Sequence, residues 1–312
     1  MEAVDAPLIA IVGPTASGKS ALALRLARER CGEIVSCDSL QVYRGLDIGS
    51  AKPPAAEQAL VSHHLIDVVD PDQPFSAADY ARLARAALAG IRLRGRLAVV
   101  AGGTGLYLRA LLEGLFEGPS RDQDLRRRLD AMAARRGEPA LHRLLTRVDP
   151  TAARRIAPGD RIRVIRALEV FRLTGQPLTV HHRTSASGLT GFSVRIVGVA
   201  PDRDQLRQEV ERRTEEMWER GLLDEVRGLL ARGFGADLRP LRAIGYRQAV
   251  AVIEGRLSEA AAQRDMVTET MRYAKRQMTW FRHQAEVSWH PSPETALADA
   301  VCWLEQRARP QA

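Results

Sequence analysis

The sequence of 312 residues contains little cysteine, few aromatic residues and no long apolar run. Its three cysteines, Cys31, Cys37 and Cys302, are too few and too scattered for a disulfide framework or a zinc site, so we expect reduced, structural thiols. No apolar stretch approaches the roughly 18 residues that span a bilayer, and the start of the chain lacks the basic region of a secretion signal. We therefore expect a cytoplasmic protein with no membrane partner, and we also expect a monomer.

Lysine is also scarce, because only three of the 46 cationic residues are lysines: Lys19, Lys52 and Lys275. Arginine supplies the rest. Lysine is a flexible point charge, whereas arginine is a planar fork, and the two are not interchangeable at every site. The few remaining lysines indicate positions where a point charge is needed, although three could also survive by chance.

The positive charge is unevenly distributed along the chain. Residues 1–120 hold 12 basic and 13 acidic side chains, residues 121–183 hold 15 and 7, and residues 184–312 hold 19 and 18. The formal net charge of +8 therefore arises from the middle segment, since −1, +8 and +1 sum to +8. A local positive field of this kind favours a polyanion such as nucleic acid, with an ordinary solvated helical face as the alternative.

The hydrophobic pattern indicates an α/β fold. Short apolar runs of strand length alternate with helical stretches such as 76–93, which begins with a capping pattern at Ser76 and Asp79. The expected strands are 8–12, 34–35, 65–69, 97–101 and 194–200, and a short last strand is expected at 287–290. This alternation predicts a parallel sheet with covering helices.

The pattern changes to helices only between residues 122 and 174, and the small, polar stretch 185–191 reads as a linker back to the sheet. We therefore predict an α/β core formed by residues 1–120 and 190–312, with an all-helical, basic insertion at 121–189. Helices are also expected at 204–220, 222–232 and 258–284.

A phosphate-binding loop follows the first predicted strand and opens the first predicted helix. The stretch matches the G-x-x-x-x-G-K-[ST] pattern in that required context, and it comprises Gly13, Pro14, Thr15, Ala16, Ser17, Gly18, Lys19 and Ser20. Backbone N–H groups of such a loop bind phosphate oxygens, the lysine reaches the terminal phosphates, and the Ser20 hydroxyl can bind Mg²⁺. The loop alone also fits a kinase or NTPase, for which Asp67 or Asp70 could hold the metal.

A second polar segment follows the second predicted strand. Asp38 lies in the stretch Ser-Cys-Asp-Ser-Leu-Gln, which ends at Gln41, and a turn-rich segment from Tyr43 to Pro53 comes next. Ligands of open α/β sheets bind at the carboxyl ends of the strands. Asp38 is therefore expected beside the phosphate loop.

Taken together, these motifs resemble those of the tRNA dimethylallyltransferase (tRNA isopentenyltransferase) family. The resemblance covers about residues 8–290. It rests on the phosphate loop, D-S-x-Q at 38–41, Y-x-G-x-D-I-G-[ST]-A-K-P at 43–53, G-G-T-G-L-Y at 102–107, R-x-x-R-A-L-E at 163–169, x-G-Y-R at 244–247 and A-K-R-Q-x-T-W-x-R at 274–282. The resemblance implies a P-loop core, Mg²⁺ as cofactor, and transfer of a dimethylallyl group from dimethylallyl diphosphate to N6 of the adenosine beside the third base of a tRNA anticodon.

The resemblance also assigns roles to individual residues. Asp38 matches the base that takes the proton from the adenine amine. Thr15 would contact the bridging oxygen of the donor, and Arg213 would stabilise the leaving diphosphate. The family helix carries an earlier arginine where this chain has Glu209, so no role is transferred to that position.

The predicted RNA contacts are spread over both parts of the chain. An adenine must leave its stack to be modified, and side chains that read its edges or stack on loop bases then hold it. The resemblance implies contacts from Asp38, Ser39, Leu40, Gln41, Thr104, Arg126, Arg163, Arg166, Arg242, Gly245, Tyr246, Arg247, Lys275, Arg276 and Arg282.

Three other functions remain open at the level of sequence. A kinase of small phosphorylated substrates could share the phosphate loop, and a non-catalytic, nucleotide-driven RNA-binding switch would not need Asp38. Prenylation of a free adenine nucleotide is a third possibility. The basic insertion and the long basic helix near the C-terminus argue against it, because a mononucleotide needs neither.

Overall fold

The computed structural model describes residues 5–115, 118–119, 122–181 and 188–308. It divides into two compact units, one formed by Met1–Leu112 with Leu189–Ala312 and the other by Glu113–Gly188. The second unit begins before the predicted boundary at 121, because the helix that precedes it ends at Leu112. The predicted linker at 185–191 falls partly outside the described residues.

The first unit contains a parallel sheet. Its strands are β1 (Ala6–Val12), β2 (Gly32–Ser36), β3 (His63–His64), β4 (Leu97–Gly102), β5 (Phe192–Val199) and β6 (Ser288–His290). Their order across the sheet is β3-β2-β4-β1-β5-β6, and every pairing is parallel. Residues 8–11 of the central strand are fully buried, as expected for a parallel sheet that is covered on both faces. The predicted α/β fold class is confirmed.

Helices cover both faces of this sheet. They are α1 (Lys19–Glu29), α2 (Ala55–Leu60), α3 (Ala77–Leu93), α4 (Gly105–Leu112), α10 (Arg203–Glu219), α11 (Leu222–Ala231), α12 (Tyr246–Ile253), α13 (Glu259–Gln284) and α14 (Pro293–Ala308), with a 3₁₀ turn at Pro240–Arg242. The predicted cap of α3 is present, because Ser76 and Asp79 form a reciprocal capping box. In the described part of the chain, no helix is both long enough and apolar enough to cross a membrane.

One predicted strand is wrong. No strand forms at the expected position 65–69, and the short strand β3 ends just before it, at His64. Leu65 and Asp67 adopt left-handed φ values of 63° and 55°, which cannot continue a strand. The N–H groups of Val68 and Val69 instead donate to the carbonyl of Val42. The apolar run therefore forms a loop that packs beside residues 41–44.

The second unit is entirely helical. Its helices are α5 (Gln123–Arg136), α6 (Glu138–Val148), α7 (Pro150–Arg155), α8 (Arg161–Thr174) and α9 (Leu178–His181). They enclose their own small core, which includes Leu129, Leu141, Leu145 and Leu168. Asp122, Asp149 and Asp160 cap the N-termini of three of these helices with side-chain hydrogen bonds.

Candidate active site

The phosphate loop connects β1 to α1 in the first unit. Gly18 is the residue before α1 and has a φ of 82°, which favours glycine over residues with a side chain. The turn leaves the N-terminus of α1 beside the loop, where its unpaired N–H groups and partial positive charge favour an anion. Lys19 folds back so that its ammonium donates to the carbonyl of Pro14 at 2.9 Å.

A cavity of about 1250 Å³ opens beside this loop, within the first unit. It brings together most of the sequence-predicted site residues of that unit. Those that line it are Thr15, Ala16, Lys19, Ser20, Asp38, Ser39, Leu40, Gln41, Arg213, Arg242, Arg247 and Arg276. Ser17 is buried outside this lining, and its hydroxyl has no hydrogen-bond partner among the described residues.

Two of the cations that line the cavity, Lys19 and Arg213, interact electrostatically with the Asp38 carboxylate. The Arg213 guanidinium donates to the Thr15 hydroxyl at 3.3 Å. Burial and the neighbouring Arg213 lower the pKa of Lys19 to about 8, although the Asp38 carboxylate opposes this shift. Burial likewise lowers the pKa of Arg213, again against the attraction of Asp38. The crowded positive charges favour a multivalent anion in this part of the cavity.

Asp38 follows the end of β2 and is held by its own turn. Its Oδ1 accepts hydrogen bonds from the N–H groups of Leu40 at 2.8 Å and Gln41 at 3.4 Å. Within the described residues, no group hydrogen-bonds to Oδ2. One carboxylate oxygen is thus fixed by the backbone, and the other is available to a ligand in the cavity.

Thr104 supports the same turn from the neighbouring loop after β4. Its hydroxyl accepts a hydrogen bond from the N–H of Ser39 at 3.2 Å, and its own N–H donates to the carbonyl of Cys37 at 3.2 Å. Both bonds flank Asp38. In this structure Thr104 holds the turn, and it is not part of the cavity lining.

The amide of Gln41 is already used within the protein. Its Oε1 accepts from the hydroxyl of Ser36 at 2.8 Å, and its Nε2 donates to the carbonyls of Ala51 at 3.1 Å and Ser50 at 3.4 Å. The sequence predicted that this amide reads an adenine edge. To do so it would have to exchange these bonds for bonds to the base.

Glu225, which the sequence analysis did not single out, holds the loop that Gln41 contacts. Its carboxylate accepts hydrogen bonds from the N–H groups of Asp47, Ile48 and Gly49 at 2.6–3.4 Å. It also accepts from the hydroxyl of Tyr246 at 2.7 Å. No pattern in the sequence connects residues this far apart in the chain.

Lys52 is a second buried support of this loop. It donates to the carbonyl of Tyr43 at 3.0 Å and to Asp67 at 2.6 Å, and it also pairs with Asp47. A buried ammonium is costly unless it is paired and hydrogen-bonded, so these contacts fix the loop around it. This lysine is used inside the protein, and Asp67, considered above as a metal ligand, is its partner.

Of the other predicted RNA contacts in this unit, Gly245, Tyr246, Lys275 and Arg282 do not line the cavity, whereas Arg242, Arg247 and Arg276 do. Tyr246 is fully buried with its hydroxyl on Glu225, and Gly245 precedes it at the start of α12, also buried. Arg247 is exposed and pairs with Glu269 at 3.0 Å. Three predicted contacts, Lys275, Arg276 and Arg282, form an exposed cationic face of α13, whereas Phe281 packs inward.

In the second unit, two of the predicted arginines are tied to a buried carboxylate. Arg126 makes a two-bond contact with Glu169 at 2.7 and 2.8 Å, and Arg166 contacts the same carboxylate at 2.6 Å. Burial raises the pKa of Glu169, but these hydrogen bonds outweigh burial and hold it at about 2. Arg163 differs, because its side chain is 68% exposed and only loosely paired with Asp160.

Comparison with known proteins identifies the family. A family model described as IPP transferase matches residues 41–284. The chain belongs to the IPP transferase family. It is 50% identical to the tRNA dimethylallyltransferase of Solibacter usitatus, with 91% of this chain and 92% of that protein covered. It is 48% identical to the tRNA dimethylallyltransferase of Myxococcus xanthus, with 95% and 96% covered.

Solved structures of the family share the fold. The tRNA isopentenylpyrophosphate transferase of Bacillus halodurans is 38% identical, with a TM-score of 0.69 and 96% of each chain covered. A eukaryotic dimethylallyltransferase, crystallised while acting on tRNA, is 25% identical with a TM-score of 0.80, and the match covers 98% of this chain and 81% of that one. The family assignment therefore extends over the sheet and the helices that form the cavity.

Proposed function

We propose that this protein transfers a dimethylallyl group from dimethylallyl diphosphate to N6 of adenosine 37 in tRNA and releases diphosphate. The observation that supports this most directly is the presence of Lys19, Arg213 and Asp38 in one cavity beside the phosphate loop. The two cations suit the leaving diphosphate. The carboxylate suits a proton acceptor for the attacking amine.

The reaction balances on these groups. The N6 nitrogen forms a bond to the first carbon of the dimethylallyl group as the bond from that carbon to the diphosphate oxygen breaks. The electron pair of the broken bond leaves with diphosphate, whose charge Lys19 and Arg213 stabilise through preorganised contacts. The Oδ2 atom of Asp38 takes the proton that N6 loses. The Thr15 hydroxyl, which accepts a hydrogen bond from Arg213, would contact the leaving oxygen.

The cavity also fits Mg²⁺ bound chiefly through the donor. Mg²⁺ in phosphate sites keeps one or two protein oxygens and otherwise uses phosphate oxygens and water. Ser20 lines the cavity and can supply one hydroxyl. Among the described residues no group of three His, Cys, Asp or Glu side chains is arranged to hold a metal alone. When bound, Mg²⁺ would neutralise charge on the diphosphate.

The second substrate is an anticodon stem-loop. We assign its phosphates to the basic helical unit and to the exposed cations of α13, with Arg163, Lys275, Arg276 and Arg282 as side chains that are open to solvent. Arg126 and Arg166 together carry one more positive charge than Glu169 neutralises. Their hydrogen bonds to Glu169 hold both guanidinium groups in fixed positions. We propose that the enzyme acts on tRNA in the cytoplasm as a monomer.

Mass analysis tests the proposal directly. An anticodon stem-loop RNA is incubated with the protein, Mg²⁺ and dimethylallyl diphosphate, and a parallel sample receives ATP in place of the allylic donor. The RNA should gain one dimethylallyl group in place of one hydrogen, only with the allylic donor. Transfer of phosphate from ATP, or an RNA of unchanged mass, would refute the proposal and favour the kinase or binding-switch alternatives.

A further inference from the structure

One buried side chain joins the phosphate loop to the loop that supports Asp38. Gln277 lies on α13 and is only 6% exposed. Its Oε1 accepts a hydrogen bond from the N–H of Thr15 at 2.9 Å, and its Nε2 donates to the carbonyl of Gly103 at 3.0 Å. A single amide thus bridges two loops that follow different strands of the sheet.

The bridge requires a close approach of the backbone. A Cβ atom built on Gly103 would lie 2.1 Å from Nε2 of Gln277, a distance that no real contact tolerates. Apart from Gln277, the nearest atom to that Cβ would be the carbonyl oxygen of Gly13 at 3.4 Å. A side chain at position 103 would therefore displace the Gln277 amide.

Each loop continues to a group that the proposed reaction uses. On one side, the Thr15 hydroxyl accepts from Arg213. On the other, the residue after Gly103 is Thr104, whose hydroxyl accepts from the N–H of Ser39 beside Asp38. Hydrogen bonds from Gln277, together with the backbone and side chains of Thr15 and Thr104, therefore connect the diphosphate side of the cavity to the carboxylate side.

We propose that Gln277 is a positioning residue that couples binding of the donor diphosphate at the phosphate loop to binding of the RNA adenine at Asp38. This rests on the proposed function. A diphosphate that fixes Thr15 also fixes the Gln277 amide, and the amide in turn fixes the Gly103–Thr104 loop that supports the Asp38 turn. Coupling of this kind is reciprocal, so each substrate tightens the binding of the other by the same factor.

The first test measures this coupling with inorganic diphosphate and Mg²⁺ as the probe of the donor site. The affinity of a fluorescent anticodon stem-loop RNA is measured with and without the probe, for the wild type and for Gln277→Met, which keeps the side-chain length and removes both hydrogen bonds. We expect the probe to tighten RNA binding by roughly 5- to 10-fold in the wild type, at the low end of typical coupling. In the variant we expect a factor near one.

Gln248→Met is the matched control. Gln248 is also buried, accepts from the N–H of Gly245 at 2.8 Å and donates to Asp265 at 2.8 Å, but it does not bridge to the phosphate loop. Its replacement removes the same kind of contacts and should leave the coupling factor at the wild-type value. Loss of coupling in both variants would show a general loosening of the fold and would overturn the proposal.

A second experiment does not depend on Gln277→Met folding well. Gly103→Ala should abolish the coupling in the wild-type background, because the added methyl displaces the Gln277 amide. In a Gln277→Ala background the same change should have little further effect, since the Gly13 carbonyl oxygen, at 3.4 Å, is the next nearest atom after those of the Gln277 side chain. The proposal would be overturned if Gly103→Ala changed the logarithm of the coupling factor by the same amount in both backgrounds.

The two proposals can fail separately. The mass of the RNA after incubation with the wild type and the allylic donor tests the proposed function alone. Retention of the wild-type coupling factor by Gln277→Met, or a wild type without coupling, overturns the role of Gln277 even if transfer occurs. Gln277→Met should raise the donor KM of the transfer reaction, in which RNA is present. The fold-change in this KM should be larger than the fold-change in the affinity for diphosphate measured without RNA.

Discussion

The lowered pKa of Lys19 predicts how donor binding depends on pH. Its pKa of about 8 in the unliganded protein means that this ammonium is roughly nine-tenths charged at pH 7 and about one-tenth charged at pH 9. The donor diphosphate carries several negative charges, so it binds the charged form of Lys19 more tightly. Binding must then raise the pKa of Lys19 and draw a proton from solution above pH 8.

Isothermal calorimetry with diphosphate and Mg²⁺ measures this effect. The affinity should fall about 10-fold between pH 7 and pH 9, with a slope that approaches one decade per pH unit above pH 8. At pH 8.5 the complex should take up roughly three-quarters of a proton, read from the binding enthalpy in two buffers of different ionisation heat. Lys19→Met should bind more weakly at pH 7 and lose both the slope and the proton uptake.

The same shift affects stability in a defined pH window. Between pH 8 and the ordinary lysine value of 10.5, the unfolded chain binds more protons at Lys19 than the folded protein does. The contribution of this group to stability therefore increases as pH rises through that window, and Lys19→Met removes the increase. An affinity that stays flat from pH 7 to pH 9, with no proton uptake, would refute this account of the phosphate loop.

Two further predictions concern carboxylates that hold other groups in place, the buried Glu169 and the partly buried Glu225. Glu169→Ala should destabilise the helical unit by about 3–5 kcal/mol in urea unfolding, because it leaves Arg126 and Arg166 without their buried partner. In the wild type, the pKa of Glu169 is about 2, so its contribution to the free energy of unfolding should be present above pH 4.5 and lost as pH falls from 4.5 to 2. A Glu169→Ala variant as stable as the wild type at neutral pH would contradict this role of Glu169. Glu225→Ala should lower the free energy of unfolding by about 2–3 kcal/mol and speed hydrogen exchange at residues 47–49. Tyr246→Phe removes only one of the four hydrogen bonds to Glu225 and should lower the free energy of unfolding by about 1 kcal/mol. Equal losses in these two variants would contradict the role given to Glu225.

The local pattern of the sequence predicts most of the fold. Strands β1 and β4 are continuous apolar runs with helical stretches after them, and α13 begins within one residue of its predicted start because Ser258 caps it. The run at 65–69 misled the prediction, because Leu65 is buried and Val68 and Val69 are partly buried in a loop that packs against another loop. Apolar composition reports burial, and it does not by itself report the backbone conformation.

The site is predictable only where one motif carries it. The phosphate loop and Asp38 follow strands directly, so their proximity follows from the sheet. The roles of Gln277, Glu225 and Glu169 depend on contacts between residues far apart in the chain, and no local pattern encodes those contacts. Gln277 does lie on the buried face of α13 with Ala274 and Phe281, at helical spacings of three and four, which could have suggested an inward-facing polar side chain.

The central claim is that Asp38 accepts the proton of the adenine amine in a cavity that binds diphosphate. Single-turnover transfer from dimethylallyl diphosphate to an anticodon stem-loop RNA, compared between the wild type and Asp38→Asn, tests it most directly. We predict that the rate falls by at least roughly 100-fold while RNA and diphosphate affinities change less than about 3-fold, since loss of a general base costs 10²–10⁴-fold. An Asp38→Asn protein that transfers the group at the wild-type rate would contradict the account.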